Sequence, residues 1–198
     1  DAGISSLNDL AGKRVNGGAL YSRQDQVFAE LMSIKNWSED NFRLYQNISP
    51  TNAQDSLALK SGSIQAMLHI GMHPDNSLRH LLVQSNSKLV GLNDEDVNRL
   101  IDSKEGFSRC SIDAGMYPGL TTDQDTLATE TLLITSADTD DETVELILNA
   151  LTKAKRQLQQ AHPSFLQNNI GIETLNDSYL HPHPAAILFF QSNINRLQ

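Results

Sequence analysis

The sequence contains a single cysteine, Cys110, among its 198 residues. An internal disulfide needs two cysteines, and a cysteine-based metal site would have no second thiol to use, so both are excluded within this chain. The neighbouring residues Phe107 and Ile112 are typical of a strand. This pattern predicts that Cys110 is a small buried side chain within that strand.

Long apolar runs and basic stripes are also missing. No apolar stretch approaches the roughly 18 residues that a membrane span requires, so we expect no direct membrane insertion. Residues 1–4 lack the basic start and apolar core of a signal peptide, so any targeting sequence is expected outside this chain. Acidic residues outnumber basic ones by 24 to 15, and no Lys/Arg stripe is interleaved with aromatic residues. Nucleic acid is therefore not an expected partner.

Motifs for catalysis, nucleotide binding and metal binding are absent as well. No serine lies in a Gly-x-Ser-x-Gly elbow, and no base can be assigned to the one cysteine. The pair Gly17-Gly18 lacks the Gly-Lys-Ser/Thr ending of a P-loop and the spacing of the dinucleotide fingerprint. The densest histidine cluster, His181-Pro182-His183, has no nearby cysteine or carboxylate partner. We therefore expect no enzyme activity, no cofactor and no metal site.

What the sequence does contain is an alternation of strand and helix patterns. A strand that starts after a turn at Gly12 runs into two glycines, and apolar residues at helical spacing follow Ser22. A helix capped by Thr51 with Gln54, with Leu57 on its inner face, is expected to end at Gly62. Strand patterns at residues 64–70 and 88–92 each lead to a further helix, the second of them capped by Asn93. This alternation predicts an α/β domain with a largely parallel sheet, in which ligands bind at the carboxyl ends of the strands.

The second half of the chain predicts fewer strands. Residues 107–112 look extended, and residues 113–119 contain two glycines and a proline, which is typical of a connection between two lobes. Residues 131–135 predict a short buried strand, followed by a long helix capped by Thr139 with Glu142 and a last helix that starts at Pro184. One strand cannot form a sheet, so we expect its partner strands to lie outside this chain.

The loop that ends at Ser22 is the best candidate for ligand binding. Backbone amides and a hydroxyl at a helix N-terminus attract an anion such as a carboxylate. The next residue, Arg23, can hold a carboxylate through two parallel hydrogen bonds. His73 follows a strand and can donate a hydrogen bond to an anion. The alternatives are that Ser22 only caps the helix, that Arg23 is a solvated charge and that His73 is a turn residue without a role.

Four segments of the chain, in order, resemble the TAXI family, the solute receptors of tripartite ATP-independent periplasmic (TRAP) transporters. They are SLNDLAGKRV at residues 6–15, LKSGSIQA at 59–66, IDAGMYPG at 112–119 and HPHPAA at 181–186. The resemblance runs nearly from end to end. It implies a periplasmic protein that captures a small acidic solute such as glutamate, glutamine or 2-oxoglutarate and delivers it to the membrane permease of a TRAP transporter.

The resemblance also implies a type II periplasmic-binding-protein-like fold with two α/β lobes. Residues 1–106 would form the second lobe with a lead-in segment, residues 107–119 the crossing segment, and residues 120–198 the C-terminal portion of the first lobe. A complete member would add a signal peptide and roughly a hundred residues of the first lobe before this chain.

The ligand-binding residues implied by the resemblance lie in three places. Ser22 stands where the family's glycine-serine-glycine loop holds the ligand, and the turn at residues 71–74 borders the cleft. Met116 and Tyr117 face the cleft from the crossing segment. Tyr21, Arg23 and Gln24 replace the family's usual Gly, Gly and Thr, which narrows the pocket or changes the ligand. The whole predicted set is Gly18, Leu20, Tyr21, Ser22, Arg23, Gln24, His73, Met116 and Tyr117.

Two other functions stay open at this point. The same fold can serve as the ligand-sensing module of a signalling protein that is not coupled to transport, and downstream sequence would distinguish the two. A hydrolase or transferase would need a nucleophile and a base in one cleft, and no motif supplies them.

Overall fold

The computed structural model of the protein describes residues 2–48, 52–129, 131–167 and 180–197. The chain forms two compact units, Asp1–Thr129 and Glu130–Gln198. Each unit has its own buried hydrophobic residues. The division falls after Thr129, so the predicted crossing segment at residues 107–119 belongs to the first compact unit, and its role between two lobes stays a prediction.

The first unit alternates strands and helices. Its strands are β1 (Arg14–Asn16), β2 (Leu44–Gln46), β3 (Ala66–Met67), β4 (Phe107–Ile112) and β5 (Gln124–Thr129), and its helices are α1 (Arg23–Ile34), α2 (Asn52–Ser61), α3 (Asn76–Ser85) and α4 (Glu95–Ser103). Single 3-10 turns lie at Leu7–Leu10 and Glu39–Asn41.

Strands β1, β2 and β3 form a parallel sheet in the order β2-β1-β3. Val15, in the middle of β1, pairs with Tyr45 on one side and Ala66 on the other. Parallel neighbours require crossover connections, which here contain helices α1 and α2. The three strands therefore end at one edge of the sheet, which we call the carboxyl edge. The predicted α/β fold of the periplasmic-binding-protein-like kind, with a parallel sheet, is confirmed.

The main core of the first unit lies between this sheet and helices α1 and α4. Val15, Val27, Leu31, Val97 and Leu100 are its most completely buried aliphatic side chains. Burying each of them contributes about 1.5–3 kcal/mol relative to leaving it exposed. The apolar residues that recur at helical spacing in α1 are therefore buried in this core, as the sequence predicts. Their packing fixes the position of the helix and of the loop before it.

Strands β4 and β5 form a separate antiparallel pair, with Phe107 opposite Thr129 and Ile112 opposite Gln124. The prediction that Cys110 is buried is wrong, because its side chain is exposed. Four consecutive residues of β4, from Ser108 to Ser111, are exposed. In the described part of this unit, nothing covers either face of β4 at these four residues. The apolar residues at the two ends of the strand therefore do not indicate that its middle is buried.

Several predicted elements of the first unit differ in the structure. Residues 88–92 are not a regular strand, although the Leu92 N–H donates a hydrogen bond to the Asp125 carbonyl oxygen at 2.9 Å. Helix α4 is capped by Asp94, not by Asn93, because the Asp94 carboxylate accepts the Val97 N–H at 2.9 Å. Helix α2 ends at Gly62 as predicted, where φ is +74°. Its predicted cap, Thr51, lies outside the described residues.

The second unit is helical in its described residues, with α5 (Asp141–Lys153), α6 (Lys155–Ala161), α7 (Ser164–Gln167) and α8 (Pro184–Leu197). Val144 and Leu148 of α5 pack against a buried cluster of α8 that consists of Ala185, Ala186, Phe189 and Phe190. The start of α8 at Pro184 is as predicted. Helix α5 is capped by Asp140, not by Thr139, and the predicted long helix divides at Ala154.

The predicted short buried strand at residues 131–135 is wrong. These residues have no strand pairing, and Leu133 and Ile134 are among the most exposed large apolar side chains of the described residues. A strand needs a neighbour to satisfy its backbone groups, and no strand in the described part of the second unit runs beside this segment.

Candidate functional site

The turn between β1 and α1 lies at the carboxyl edge and is held by one side chain from the end of β1 and one from the residue after β2. Asn16 Oδ1 accepts hydrogen bonds from the Gly18 N–H at 3.1 Å and the Ile48 N–H at 3.2 Å. Asn47 Nδ2 donates to the Gly18 carbonyl oxygen at 3.2 Å. At Gly18, φ is +98° and a Cβ would lie 2.6 Å from that of Gln24, so only glycine fits. Hydrogen bonds from the ends of the strands therefore fix this loop at the carboxyl edge of the sheet.

Ser22 caps α1, as the sequence predicts. Its Oγ accepts the Asp25 N–H at 3.2 Å, and the Asp25 carboxylate in turn accepts the Tyr21 N–H at 2.9 Å. Among the described residues, no hydrogen bond of the Arg23 or Gln24 N–H is found. These are the first two amides of the helix, which have no partner within it. The start of α1 therefore has two backbone amides without a partner among the described residues.

The side chains of this loop differ in their exposure. Tyr21 adopts a left-handed conformation with φ of 64°, and its side chain is 88% exposed. Leu20 and Arg23 are also exposed, whereas Ser22 and Gln24 are partly buried. The structure thus brings six of the predicted site residues together in one turn, from Gly18 to Gln24. Their contact with a ligand stays a prediction.

The other three predicted residues belong to a second group of side chains in the first unit. Tyr117 is 2% exposed, and its hydroxyl lies 2.6 Å from Nδ1 of His73. The Asp75 N–H donates to the same hydroxyl at 2.7 Å. Met116 is partly buried, and its carbonyl oxygen accepts a hydrogen bond from Arg79 at 2.6 Å. The Tyr117 hydroxyl therefore makes its hydrogen bonds to residues of the first unit.

His69 and Asp75 extend this second group. His69 Nε2 lies 2.9 Å from Asp75 Oδ2, and the rings of His69 and His73 are 6.4 Å apart. Burial acts to raise the pKa of Asp75, but hydrogen bonds from the Leu78 and Ser77 amides and from His69 outweigh it and hold the pKa below its usual value. The start of α3 therefore carries a carboxylate that is ionised at neutral pH.

Burial also sets the protonation of His73 and Tyr117. It lowers the pKa of His73, and the charge of His69 lowers it further, while Asp75 acts in the opposite direction. Burial likewise raises the pKa of Tyr117. Both side chains are therefore neutral at physiological pH, and they interact through a neutral hydrogen bond.

Asp55 links the two groups, and the sequence analysis missed it. The side chain is 4% exposed, and Oδ2 is buried without a hydrogen-bond partner. Burial raises the pKa of Asp55, against a hydrogen bond from Asn16 and the charge of His69. Asp55 and Ser56 occupy the inner face of α2, where Leu57 was predicted, and Leu57 is exposed. The sequence feature that could have indicated this buried polar face is the pair of short polar residues directly before that leucine.

Two further observations concern the described residues only. No group of three or more His, Cys, Asp or Glu side chains in these ranges is arranged to hold a metal ion. Within the same ranges, no helix combines the length and the apolar character that crossing a membrane would require.

A separate pocket of about 250 Å³ lies in the first unit. Lys88, Thr121, Thr122 and Gln124 contribute polar groups to its wall, and Tyr117 is the one predicted site residue that lines it. This pocket and the turn before α1 are therefore lined by different residues.

The first unit thus has the architecture of a binding protein, with amides and polar side chains at the carboxyl edge of a parallel sheet. The model of the NMT1-like family matches residues 1–192. Because the match covers nearly the whole chain, the protein belongs to the NMT1-like family. This is a family of periplasmic solute-binding proteins that includes receptors of the TAXI type, and it is a family of binding proteins, not of enzymes.

Proposed function

We propose that the protein is a periplasmic receptor that captures a small acidic solute for a TRAP-type secondary transporter. The observation that carries this proposal is the start of α1, where the Arg23 and Gln24 amides have no partner among the described residues and the Arg23 side chain is exposed beside them. A carboxylate at this position would accept hydrogen bonds from the amides and interact favourably with the helix dipole.

The charges around the turn make Arg23 the decisive residue. The chain carries a formal net charge of −9, so its overall field does not attract an anion. The Asp25 carboxylate also lies at this helix start, where Asn47 Nδ2 donates to it at 2.7 Å. A solute carboxylate therefore needs a local cation to offset these negative charges. Arg23 is the cationic side chain among the predicted site residues, and a guanidinium binds carboxylates with two parallel hydrogen bonds.

Membership of the solute-binding family supports the rest of the proposal. The resemblance of four segments to TAXI receptors favours glutamate, glutamine or 2-oxoglutarate as the solute and a TRAP permease as the membrane partner. On this proposal the protein acts outside the cytoplasm, inserts no part of itself into the membrane and makes no covalent change to the solute. Its work is binding and release.

The test is a calorimetric titration of the protein with glutamate, glutamine, 2-oxoglutarate and glutarate. We expect at least one of these solutes to bind, and we expect Arg23→Ala to weaken its binding by about 10- to 100-fold, because a hydrogen bond to a charged group is worth about 1.5–3 kcal/mol. Arg43→Ala is the matched control, since Arg43 is also exposed but lies directly before β2, at the opposite edge of the sheet.

Two results would contradict the proposal. Binding of none of the acidic solutes would exclude the solute class. An Arg23→Ala variant that binds as tightly as the unchanged protein would show that the start of α1 is not the carboxylate site.

A further inference from the structure

We infer that Tyr117 is a positioning residue that fixes the tautomer of His73, so that His73 presents an Nε2–H donor to an acceptor atom of the bound solute. The inference rests on the proposed function of this site and adds the role of a residue that does not touch the solute itself.

The direction of the hydrogen bonds follows from the groups around the Tyr117 hydroxyl. The Asp75 backbone N–H can only donate, so at 2.7 Å the Tyr117 oxygen must accept its hydrogen bond. The hydroxyl keeps its own proton for its second neighbour, which is Nδ1 of His73 at 2.6 Å. No third partner of this hydroxyl is found among the described residues. Its proton therefore has one acceptor, and that acceptor is Nδ1.

The tautomer of His73 follows from this arrangement. A neutral imidazole whose Nδ1 accepts a hydrogen bond carries its proton on Nε2. The opposite tautomer would place two hydrogens between Nδ1 and the hydroxyl or would leave the hydroxyl proton of a buried side chain without an acceptor. The positively charged ring is disfavoured for the same reason, since it carries a proton on both nitrogens.

The charged and titratable groups around His73 are consistent with a neutral ring. The His69 ring lies beside it, Asp75 holds His69, and the Arg79 guanidinium lies 5.8 Å from the centre of the Tyr117 ring. His69 and burial disfavour a charge on His73, whereas Asp75 favours it, and the balance lowers the pKa.

The remaining nitrogen of His73 is therefore a donor. Nε2 has no hydrogen-bond partner within the described ranges, and it is not among the buried unpaired atoms. A neutral N–H donor recognises a carboxylate or carbonyl oxygen and adds no charge to the site. Arg23 would then neutralise the solute, and His73 would orient it.

Tyr117→Phe tests the role of the hydroxyl. Long-range ¹H–¹⁵N spectra of the histidine rings, recorded on the full chain without solute at pH 7.5, report each tautomer directly. We expect the Nε2–H tautomer for His73 in the unchanged protein and a mixture of both tautomers in Tyr117→Phe. A His73 ring that is already mixed or protonated on Nδ1 in the unchanged protein would overturn the inference, and so would identical spectra in the two proteins.

Binding measurements separate positioning from a general structural role. We expect Tyr117→Phe to weaken glutamate or 2-oxoglutarate binding about fivefold, which corresponds to about 1 kcal/mol. In His73→Gln, whose amide nitrogen replaces Nε2 and has no tautomers, the same change should cost less than twofold. An equal loss in both backgrounds would assign Tyr117 a merely structural role and overturn the inference.

His80→Gln is the control, because His80 is an exposed histidine of α3, the helix that follows His73 in the chain. It should change neither the His73 spectrum nor the affinity. If the unchanged protein binds none of the four solutes, glutamate, glutamine, 2-oxoglutarate and glutarate, the proposed function fails, and the solute-donor role of His73 fails with it. The solute-free spectra still decide the tautomer in that case, so the two failures are distinguishable.

Discussion

Gly17 lies directly against the ring of Tyr45. A Cβ at residue 17 would be 2.3 Å from the Tyr45 hydroxyl oxygen and 2.8 Å from Cζ. The Tyr45 ring is itself held between aromatic neighbours, with its centre 5.6 Å from the centres of the Phe28 and Phe42 rings. The first residue after β1 therefore has no room for a side chain.

We expect Gly17→Ala to lower the free energy of unfolding by about 1–3 kcal/mol, because an added methyl group in a packed site forces its neighbours to move. The φ angle of Gly17 is not in the left-handed region, so the penalty is steric. Urea denaturation measures it. In a Tyr45→Ala background the same change should cost much less, and an equal cost would show that the Tyr45 contact is not the cause.

Ser22 is predicted to have two separable roles. As the cap of α1, its replacement by alanine should cost about 1 kcal/mol of stability, whereas glycine should cost only about a few tenths. If the hydroxyl also contacts the solute, both variants should lose affinity equally in calorimetry. Should affinity instead follow stability, with glycine close to serine, the hydroxyl would be a cap alone.

Asp55→Asn is expected to stabilise the protein at neutral pH by about 1 kcal/mol, because it removes a buried charge whose Oδ2 has no partner. The pKa of Asp55 is raised above its usual 3.8 in the folded protein, so the folded state holds this proton more tightly than the unfolded chain. Stability attributable to Asp55 is therefore present at low pH and lost as the pH rises through the folded-state pKa.

The gain from Asp55→Asn should consequently shrink as the pH falls and disappear near pH 3.8. Urea denaturation at a series of pH values provides the measurement. Asp113→Asn, which changes an exposed carboxylate, should show no such pH-dependent gain. A loss of stability in Asp55→Asn at neutral pH would mean that the carboxylate has a stabilising cationic partner.

Lys35 joins helices α1 and α4 through a buried ion pair. Its side chain is 4% exposed, and Nζ lies 2.7 Å from Asp94 Oδ2 and also contacts Asp96. Lys35 caps the end of α1 and Asp94 caps the start of α4, where the helix dipoles favour these charges. Lys35→Met should therefore cost about 2–4 kcal/mol, since it leaves the Asp94 carboxylate without its cation, whereas Asp96 keeps its contact with Arg99.

The matched control is Lys104→Met. Lys104 pairs with Glu30, but its side chain is 48% exposed, so the loss should stay within about 1 kcal/mol. Thermal and urea unfolding of both variants measure the difference. Similar losses for the two lysines would show that burial of the Lys35 pair does not matter.

The local features of the fold could be predicted from the sequence. Helix α1 and its Ser22 cap follow from apolar spacing and a capping side chain within a few residues of each other. The start of α8 follows from Pro184, because proline suits the first turn of a helix. Two caps were placed one residue too early, at Asn93 and Thr139. In both places a neighbouring aspartate can also cap, and the sequence does not show which backbone is extended.

Features that depend on distant residues could not be predicted. Whether residues 131–135 form a strand is decided by a neighbouring strand, and whether Cys110 is buried is decided by what covers its strand. At the candidate site, the turn before α1 was predicted because its glycines and cap are local. The hydrogen bond between Asp75 and Tyr117 spans 42 residues, and Asp55 of α2 meets Asn16 of β1 only in the folded chain.

The order of the parallel sheet has a practical consequence for protein engineering. Because β1 lies between β2 and β3, the segments that follow these strands leave the sheet side by side, whereas Val15 in the middle of β1 is completely buried. On the proposed function, a library that varies only exposed positions of these segments, such as Leu20 and Tyr21, would sample new solute specificities without disturbing the core. A fluorophore attached at the exposed Tyr21 position would report solute binding by the members of such a library as a change in fluorescence.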